Sequence, residues 1–321
     1  MDSTSNTPTA KTTAATPGPI RKVAVVVNAR AGTVLQMGTA DFTRAIVEAF
    51  RARDIEARVI TVPGKQLRRR LHEVLDGPYD TIIVSGGDGT LSRMLPELLA
   101  TDKRVGVLPL GTLNLFGADL GLSTDIPATI AAIAGGETRA VDIGLINGVP
   151  FHSISGVGYS AMMARERERA RRQIPFSKAL SFLWAAARTL LYTKPMLVDV
   201  LVDGEHRIRE ADGVLITNNR FDGIPWRRGS IEDGTLEVHT FKAHGLWNRL
   251  KTLWAVARGR WREVDTLEST TTTDVTLRRR DKRRVIVATD GEIQLMRGDL
   301  HYEIKPKALT ILAAPKPEDA A

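Results

Sequence analysis

The chain has 321 residues, 43% of them hydrophobic and 26% charged, and no cysteine. That length allows two ordinary domains with real cores, and the lack of cysteine excludes disulfides, zinc–thiolate sites and a thiol nucleophile. The net charge of +8 and a pI of about 9.9 favour anionic partners such as nucleotides, nucleic acid or acidic lipid.

Residues 1–20 are rich in Ser, Thr, Pro and Ala, lack the charged start and apolar core of a signal peptide, and read as a disordered tail. No apolar run reaches the roughly 18–20 residues that span a bilayer, so the sequence predicts a soluble or peripheral protein. Ordered structure is expected from Arg21. "KVAVVVNA" reads as a buried strand ending in the loop "NARAGT", Asn28 to Thr33. Phe42, Ala45, Ile46, Ala49 and Phe50 mark one helix face. "IEARVITV" is a second strand, and Leu67, Leu71, Val74 and Leu75 mark a second helix. "TIIV" is a third strand, followed by "SGGDGTLSRMLPELL", a glycine-rich turn and a helix. "RVGVLPLGT" gives a fourth strand, a loop, and a short helix through Leu120. This alternation predicts a parallel sheet with helices on its faces.

The pattern changes after about Asp142. Runs of alternating apolar and polar residues, punctuated by Asn147-Gly148 and several Asp-Gly pairs, predict antiparallel sheet. Two helical segments interrupt it, Tyr159 to Tyr192 with a break near Pro175, and Leu246 to Trp261. The expected fold is therefore an α/β nucleotide-binding domain with a parallel sheet, residues 21–143, followed by a β-rich antiparallel sandwich over 144–300.

Successive backbone N–H groups in a glycine-rich turn form an anion cradle, and a following helix adds its positive end. "GGDGT", Gly86 to Thr90, suits phosphates, and Asp88 is useful there if Mg²⁺ bridges them. The bland alternative is a plain loop with an Asp cap. A second loop, "LPLGTLN", and the first, "NARAGT", should reach the same sheet edge, where ligands of open α/β folds bind. No P-loop motif and no GxGxxG occurs.

"VVNARAG", "SGGDGTL", "LPLGTLNLFGADLG", "VDIG", "NNRF…GSIEDGTLEV" and a distal "DGE" occur in that order. Together they resemble the bacterial diacylglycerol/lipid kinase family, related to sphingosine kinases and more distantly to NAD kinases, over Val23 to about Leu312. The resemblance implies an ATP site lined by Asn28, Ala29, Arg30, Ala31, Gly32, Thr61, Gly86, Gly87, Asp88, Gly89, Thr90, Leu91, Ser92 and Thr112. It implies that Asp88 and Asp142 belong to an acidic network organising Mg²⁺ and water. It places a second, structural Mg²⁺ on Asp233 and the carbonyls of Ser230 and Thr235. It makes Asp290 or Glu292 the base for a lipid hydroxyl, with Asp290 favoured and Glu292 as its support. The chain's end, 301–321, would return to the first domain. This chain departs from the family at Ala29, where Pro is usual, at Ser92, where Asn is common, and at Leu115, where many members carry Asp.

Side chains two apart on a strand face the same way, which would pair Asp290 with Glu292, but Asp-Gly also favours a turn. Trp247, Trp254 and Trp261 mixed with Arg and Lys have the composition of an interfacial helix, or of a helix packed on the sheet. "RRRDKRR", Arg278 to Arg284, could add membrane attraction or be a solvated hairpin. The six histidines show no metal-ligand spacing and read as structural. The expected activity is ATP- and Mg²⁺-dependent phosphorylation of a lipid hydroxyl by a cytoplasmic enzyme, peripheral at the inner face of the membrane. A homodimer is compatible with the sequence, and charge alone does not make a nucleic-acid partner. The competing readings are an NAD kinase, against which the GTLNxF loop and distal DGE count, and a non-catalytic nucleotide- or lipid-binding module marked by Leu115.

Overall fold

The computed structural model describes residues 18–111, 114–173, 178–202, 205–222, 227–242, 245–258 and 260–315. The first half alternates strand and helix as expected: β1 (Lys22–Asn28), α1 (Gly32–Met37), α2 (Thr39–Arg51), β2 (Glu56–Val62), α3 (Leu67–Leu75), β3 (Thr81–Gly86), α4 (Asp88–Leu99), β4 (Arg104–Pro109), α5 (Leu115–Asp119) and α6 (Ile126–Ala134). Strands β2, β1, β3 and β4 pair in parallel in that order. The β1 side chains serve two cores. Ala24 and Val26 face Leu71, Leu95 and Ile311, while Val23, Val25 and Val27 face Phe42, Ile46 and Ile130. A strand covered on both faces needs the continuous Val run that the sequence supplies.

The second half begins with β5 (Thr138–Ile146), β6 (Val149–Phe151) and β7 (Ile154–Gly158), then α7 (Tyr159–Gln173) and α8 (Lys178–Tyr192). The expected break near Pro175 separates these helices, and residues 174–177 lie outside the described residues. There follow β8 (Met196–Val202), β9 (Glu205–Ala211), β10 (Gly213–Asn218), β11 (Phe221–Asp222), β12 (Arg227–Arg228), β13 (Leu236–Phe241), α9 (Leu246–Ala257), β14 (Leu267–Thr272), β15 (Asp274–Arg279), β16 (Arg284–Thr289), β17 (Glu292–Arg297) and β18 (Leu300–Leu312). The helix expected to run to Trp261 ends at Ala257, and Trp261 opens a separate 3₁₀ turn.

Strands β14, β13, β10, β7, β16 and β17 form an antiparallel second sheet. The first sheet continues past β4 through β18, β15, β8 and β9. Its strand β18 pairs antiparallel with β5 and β15, and parallel with β4 through Ile311 and Val105. The third core lies between the sheets, where Val198, Val200, Val275 and Tyr302 meet Val157, Val214, Ile216 and Val287. The fold is thus an α/β unit and an antiparallel sandwich joined through one shared sheet.

One buried cation ties the two halves. Arg228 Nη2 lies 2.6 Å from Asp119 Oδ2, and both side chains are at most 1% exposed. The same guanidinium donates to the carbonyls of His152 and Asn218 and lies against the rings of Phe116 and Phe221. Arg278, Arg279 and Arg280 of the basic hairpin pair with Asp299, Asp281 and Asp199, as in a solvated turn. Removing one partner of a buried pair strands the other, at a cost of roughly 3–5 kcal/mol. Arg228→Met should therefore lower stability by about that amount in urea unfolding, and adding Asp119→Leu should recover part of it.

Candidate active site

Three loops converge at the C-terminal edge of the parallel strands. Asn28, at the end of β1, donates through Nδ2 to Thr90 Oγ1 at 3.0 Å, and its Oδ1 accepts from the Arg30 N–H. The Ala29 N–H donates to the Val62 carbonyl at the end of β2. The Leu110 N–H donates to the Gly86 carbonyl, joining the loops after β3 and β4. Thr61 Oγ1, one residue before the end of β2, is buried without a hydrogen-bond partner. Helix α4 starts at Asp88 with no side-chain cap, leaving the positive end of a 12-residue helix facing this edge. A small cleft there is lined by Gly86, Gly87, Asp88, Asn114 and Phe116 among others.

The glycines have a more specific reason than the sequence supplied. A Cβ on Gly111 would lie 2.6 Å from the Gly87 Cα, and one on Gly87 would lie 3.0 Å from the Gly111 Cα. The two loops pass backbone against backbone, and both positions must be bare. A Cβ on Gly86 would meet the Thr90 side chain at 2.7 Å. A Cβ on Gly89 would lie 2.7 Å from Glu292 Oε1. Asn114, left-handed at φ 48°, locks the second loop by accepting from the Gly111 N–H and donating to the Gly111 carbonyl. Thr112, expected in this site, lies outside the described residues.

The two carboxylates of "DGE" part company. Asp290 (φ 48°) and Gly291 (φ 85°) both have positive φ, and Thr289 pairs with Glu292, so the segment is a two-residue type I′ turn. Asp290 and Glu292 therefore do not share a strand face. The Asp290 side chain is fully buried. Its Oδ1 accepts from the N–H groups of Ser153 and Ile154, and its Oδ2 from that of His152, all at 3.0 Å. Asp290, expected as the base, is instead the anchor of the β7 start. Beneath it Ser155 Oγ bridges Thr289 and Tyr302, and burial pushes the Tyr302 hydroxyl well up. Glu292 is one-third exposed, sits over the first turn of α4, and pairs with Arg93 Nη2 at 2.5 Å.

Asp142 also departs from expectation. Its carboxylate accepts from the Gly234 N–H at 2.6 Å and the Lys307 N–H at 2.7 Å, and it braces the 230–235 loop instead of lining the cleft. Asp88 keeps its capacity as a ligand, because its Oδ1 takes only a long 3.4 Å contact from the Phe116 N–H. Asp233 is exposed on the braced loop, Ser230 Oγ accepts from the Glu232 N–H, and the Thr235 carbonyl already accepts from the Asn219 N–H. Among the described residues, no cluster of three or more His, Cys, Asp or Glu could hold a metal. Ala31, Gly32, Leu91 and Ser92 stand on α1, its approach and α4 at the same edge, and Leu115 is half-buried at the first position of α5.

His152, read with the other histidines as structural, has a specific place beside the site. It is fully buried, with Nε2 3.2 Å from the Asp88 carbonyl and 3.5 Å from Asp290 Oδ2, and its ring centroid is 5.0 Å from that of Phe116. It thus links the phosphate-type loop to the Asp290 anchor, which no local spacing signals. Arg93 was legible only as a basic residue on the helix after GGDGT.

Residues 22–146 match the diacylglycerol kinase catalytic domain, and residues 153–313 match the YegS C-terminal NAD kinase beta sandwich-like domain. The chain belongs to the bacterial diacylglycerol/lipid kinase family. An uncharacterised protein of Synechocystis is 30% identical over 188 residues, 56% of this chain and 43% of that protein. A diacylglycerol kinase of Staphylococcus epidermidis is 36% identical over 107 residues, 32% of this chain and 34% of that protein. These matches thus span less than half the length of either relative. A crystal structure of a diacylglycerol kinase from Bacillus anthracis shares the fold with a TM-score of 0.69 at 18% identity, covering 93% of this chain and 99% of that one.

The glycine geometry separates stability from chemistry. Gly111→Ala should cost roughly 1–3 kcal/mol in denaturant unfolding, since backbone must give way. Gly89→Ala should leave the unfolding midpoint nearly unchanged while displacing the Glu292 carboxylate from the first turn of α4, which a crystal structure of the variant would show.

Proposed function

We propose that this protein is an ATP- and Mg²⁺-dependent lipid kinase that phosphorylates the hydroxyl of diacylglycerol or a similar lipid. The observation that carries this reading is the Glu292 carboxylate, brought by the second sheet onto the first turn of α4. A base is then poised beside an anion cradle, which is what transfer to a hydroxyl needs. The Asn28, Gly86–Thr90 and Thr61 edge holds the nucleotide phosphates, with the unpartnered Thr61 hydroxyl as one donor. The acceptor oxygen attacks Pγ, the bond from Pγ to the β–γ bridging oxygen breaks, and ADP departs. The hydroxyl proton goes to Glu292.

Asp88 fits a Mg²⁺ ligand, being an oxygen donor with spare capacity beside the cradle. Bound with the nucleotide, the ion offsets phosphate charge. Mg²⁺ commonly takes one or two carboxylates and fills the rest of its shell with phosphate oxygens and water. The site therefore works without Asp142 or an acid at Leu115. The second ion, on Asp233 with the Ser230 and Thr235 carbonyls, suits an oxygen-only donor set, although Asp142 already braces that loop. Mg²⁺ should raise the melting temperature of the nucleotide-free protein, and Asp233→Ala should abolish the rise.

No helix among the described residues is long and apolar enough to cross a membrane. As a lipid kinase, the enzyme works in the cytoplasm and meets its acceptor at the inner membrane face.

The experiment is transfer of γ-labelled phosphate from Mg-ATP to total lipid in mixed micelles. Glu292→Gln should cut transfer by about 10²-fold or more with an unchanged melting temperature. Asp290→Asn should instead destabilise the fold by roughly 1–3 kcal/mol, because its amide would face backbone donors. Labelled NADP in place of labelled lipid, or ATP binding without turnover, would sink the proposal.

A further inference from the structure

On the protein-facing side of helix α9, Ala255 and Thr252 are buried, Thr252 Oγ1 lies 2.7 Å from Thr266 Oγ1, and Arg249 Nη2 lies 2.7 Å from Asp212 Oδ1. Three of its large apolar side chains face solvent. Trp247 is 80% exposed, Trp254 59% and Leu250 41%. The spacing of these three, i, i+3 and i+7, puts them in one stripe. Lys251 and Arg258 flank that stripe, and the Arg258 guanidinium lies 3.5 Å from the Trp254 ring centroid. Helix α8 packs beside α9 and leaves Leu191 and Tyr192 exposed at its end, with Arg188 stacked between Trp184 and Tyr192.

A soluble helix normally hides such a stripe, and an exposed patch of this kind marks a contact surface. The sequence of neither helix, 178–192 or 246–257, contains Asp or Glu. We propose that the α8–α9 face is a docking surface for an anionic lipid bilayer. Tryptophan and tyrosine settle at the headgroup level, where their rings are buried and their polar atoms stay wet. Lysine and arginine beside them reach the lipid phosphates. A second copy of this chain fits less well, because pairing two such faces would set cations against cations. The inference rests on the lipid-kinase reading for its purpose, and on burial and charge for its location.

The test uses the full chain with vesicles of phosphatidylcholine alone or mixed with phosphatidylglycerol. Co-sedimentation reports binding, and quenching by brominated lipid reports tryptophan depth. The wild type should bind the anionic vesicles at least about tenfold better and lose binding as salt rises. Trp247→Gln with Trp254→Gln should reduce binding about tenfold or more. Both side chains are exposed, so an unchanged melting temperature confirms that the variant folds. Absence of wild-type binding, equal binding by the variant, or a wild-type dimer in light scattering that the variant dissolves would each overturn the proposal. Tryptophan-dependent binding without phosphorylation of any lipid would leave this surface standing and remove the kinase reading.

Discussion

The arrangement of the site depends on a single charge taken out of water. Arg228 is held by Asp119 from the α/β half and by the carbonyls of His152 and Asn218 from the sandwich. A guanidinium has donors in a fixed fork, and here those donors are shared between the two halves. Neither half can shift without stranding a buried ion. Phe116 lies against this cation on one side and against the His152 ring, while its N–H reaches Asp88. His152 continues the path to Asp290. The distance between the α4 cradle and Glu292 is thereby set by buried contacts, whereas the Arg93–Glu292 pair, half exposed, contributes little to holding it.

Much of the fold was legible in the sequence because period and punctuation are local properties. The Val run of β1, the helix faces of α2 and α3, and the turns at Asn147-Gly148 and Asp290-Gly291 appear where the pattern put them. The glycine-rich loop was legible as a site, but its reason was only partly so. Gly87 and Gly111 are bare for each other, a constraint between residues on neighbouring strands that no single motif displays. The two "DGE" carboxylates were legible as candidates, yet their roles follow from turn handedness. A type I′ turn sends Asp290 inward to three N–H groups and leaves Glu292 over α4. Asp142 misled for a related reason: its partners are backbone N–H groups far along the chain, and backbone leaves no mark in a sequence. Arg228 and Asp119 could not be paired at all, since nothing local relates two ions so far apart in the chain.

The Trp-bearing helix illustrates a different limit. Its composition fitted both a packed helix and an interfacial one, because periodicity shows that a face exists and not which way it turns. Orientation is set by Arg249 on Asp212 and by Thr252 on Thr266, two polar contacts that hold that side against the protein. The basic hairpin at Arg278 resolved the other way, with three of its cations occupied by nearby aspartates.

Strand β18 has a consequence for how the protein is made. It lies between β4 and β15 in the middle of the shared sheet and pairs along its length with β5. On the ribosome, β1 to β5 emerge well before residues 300–312, so β4 waits with one edge unsatisfied while the sandwich is synthesised. An N-terminal half cannot finish folding early, as domains usually do during synthesis. The long-range pairing that closes the sheet comes last and is intrinsically slow. During that interval the edge of β4 is open to foreign strands, and the emergence of β18 is the event that seals it.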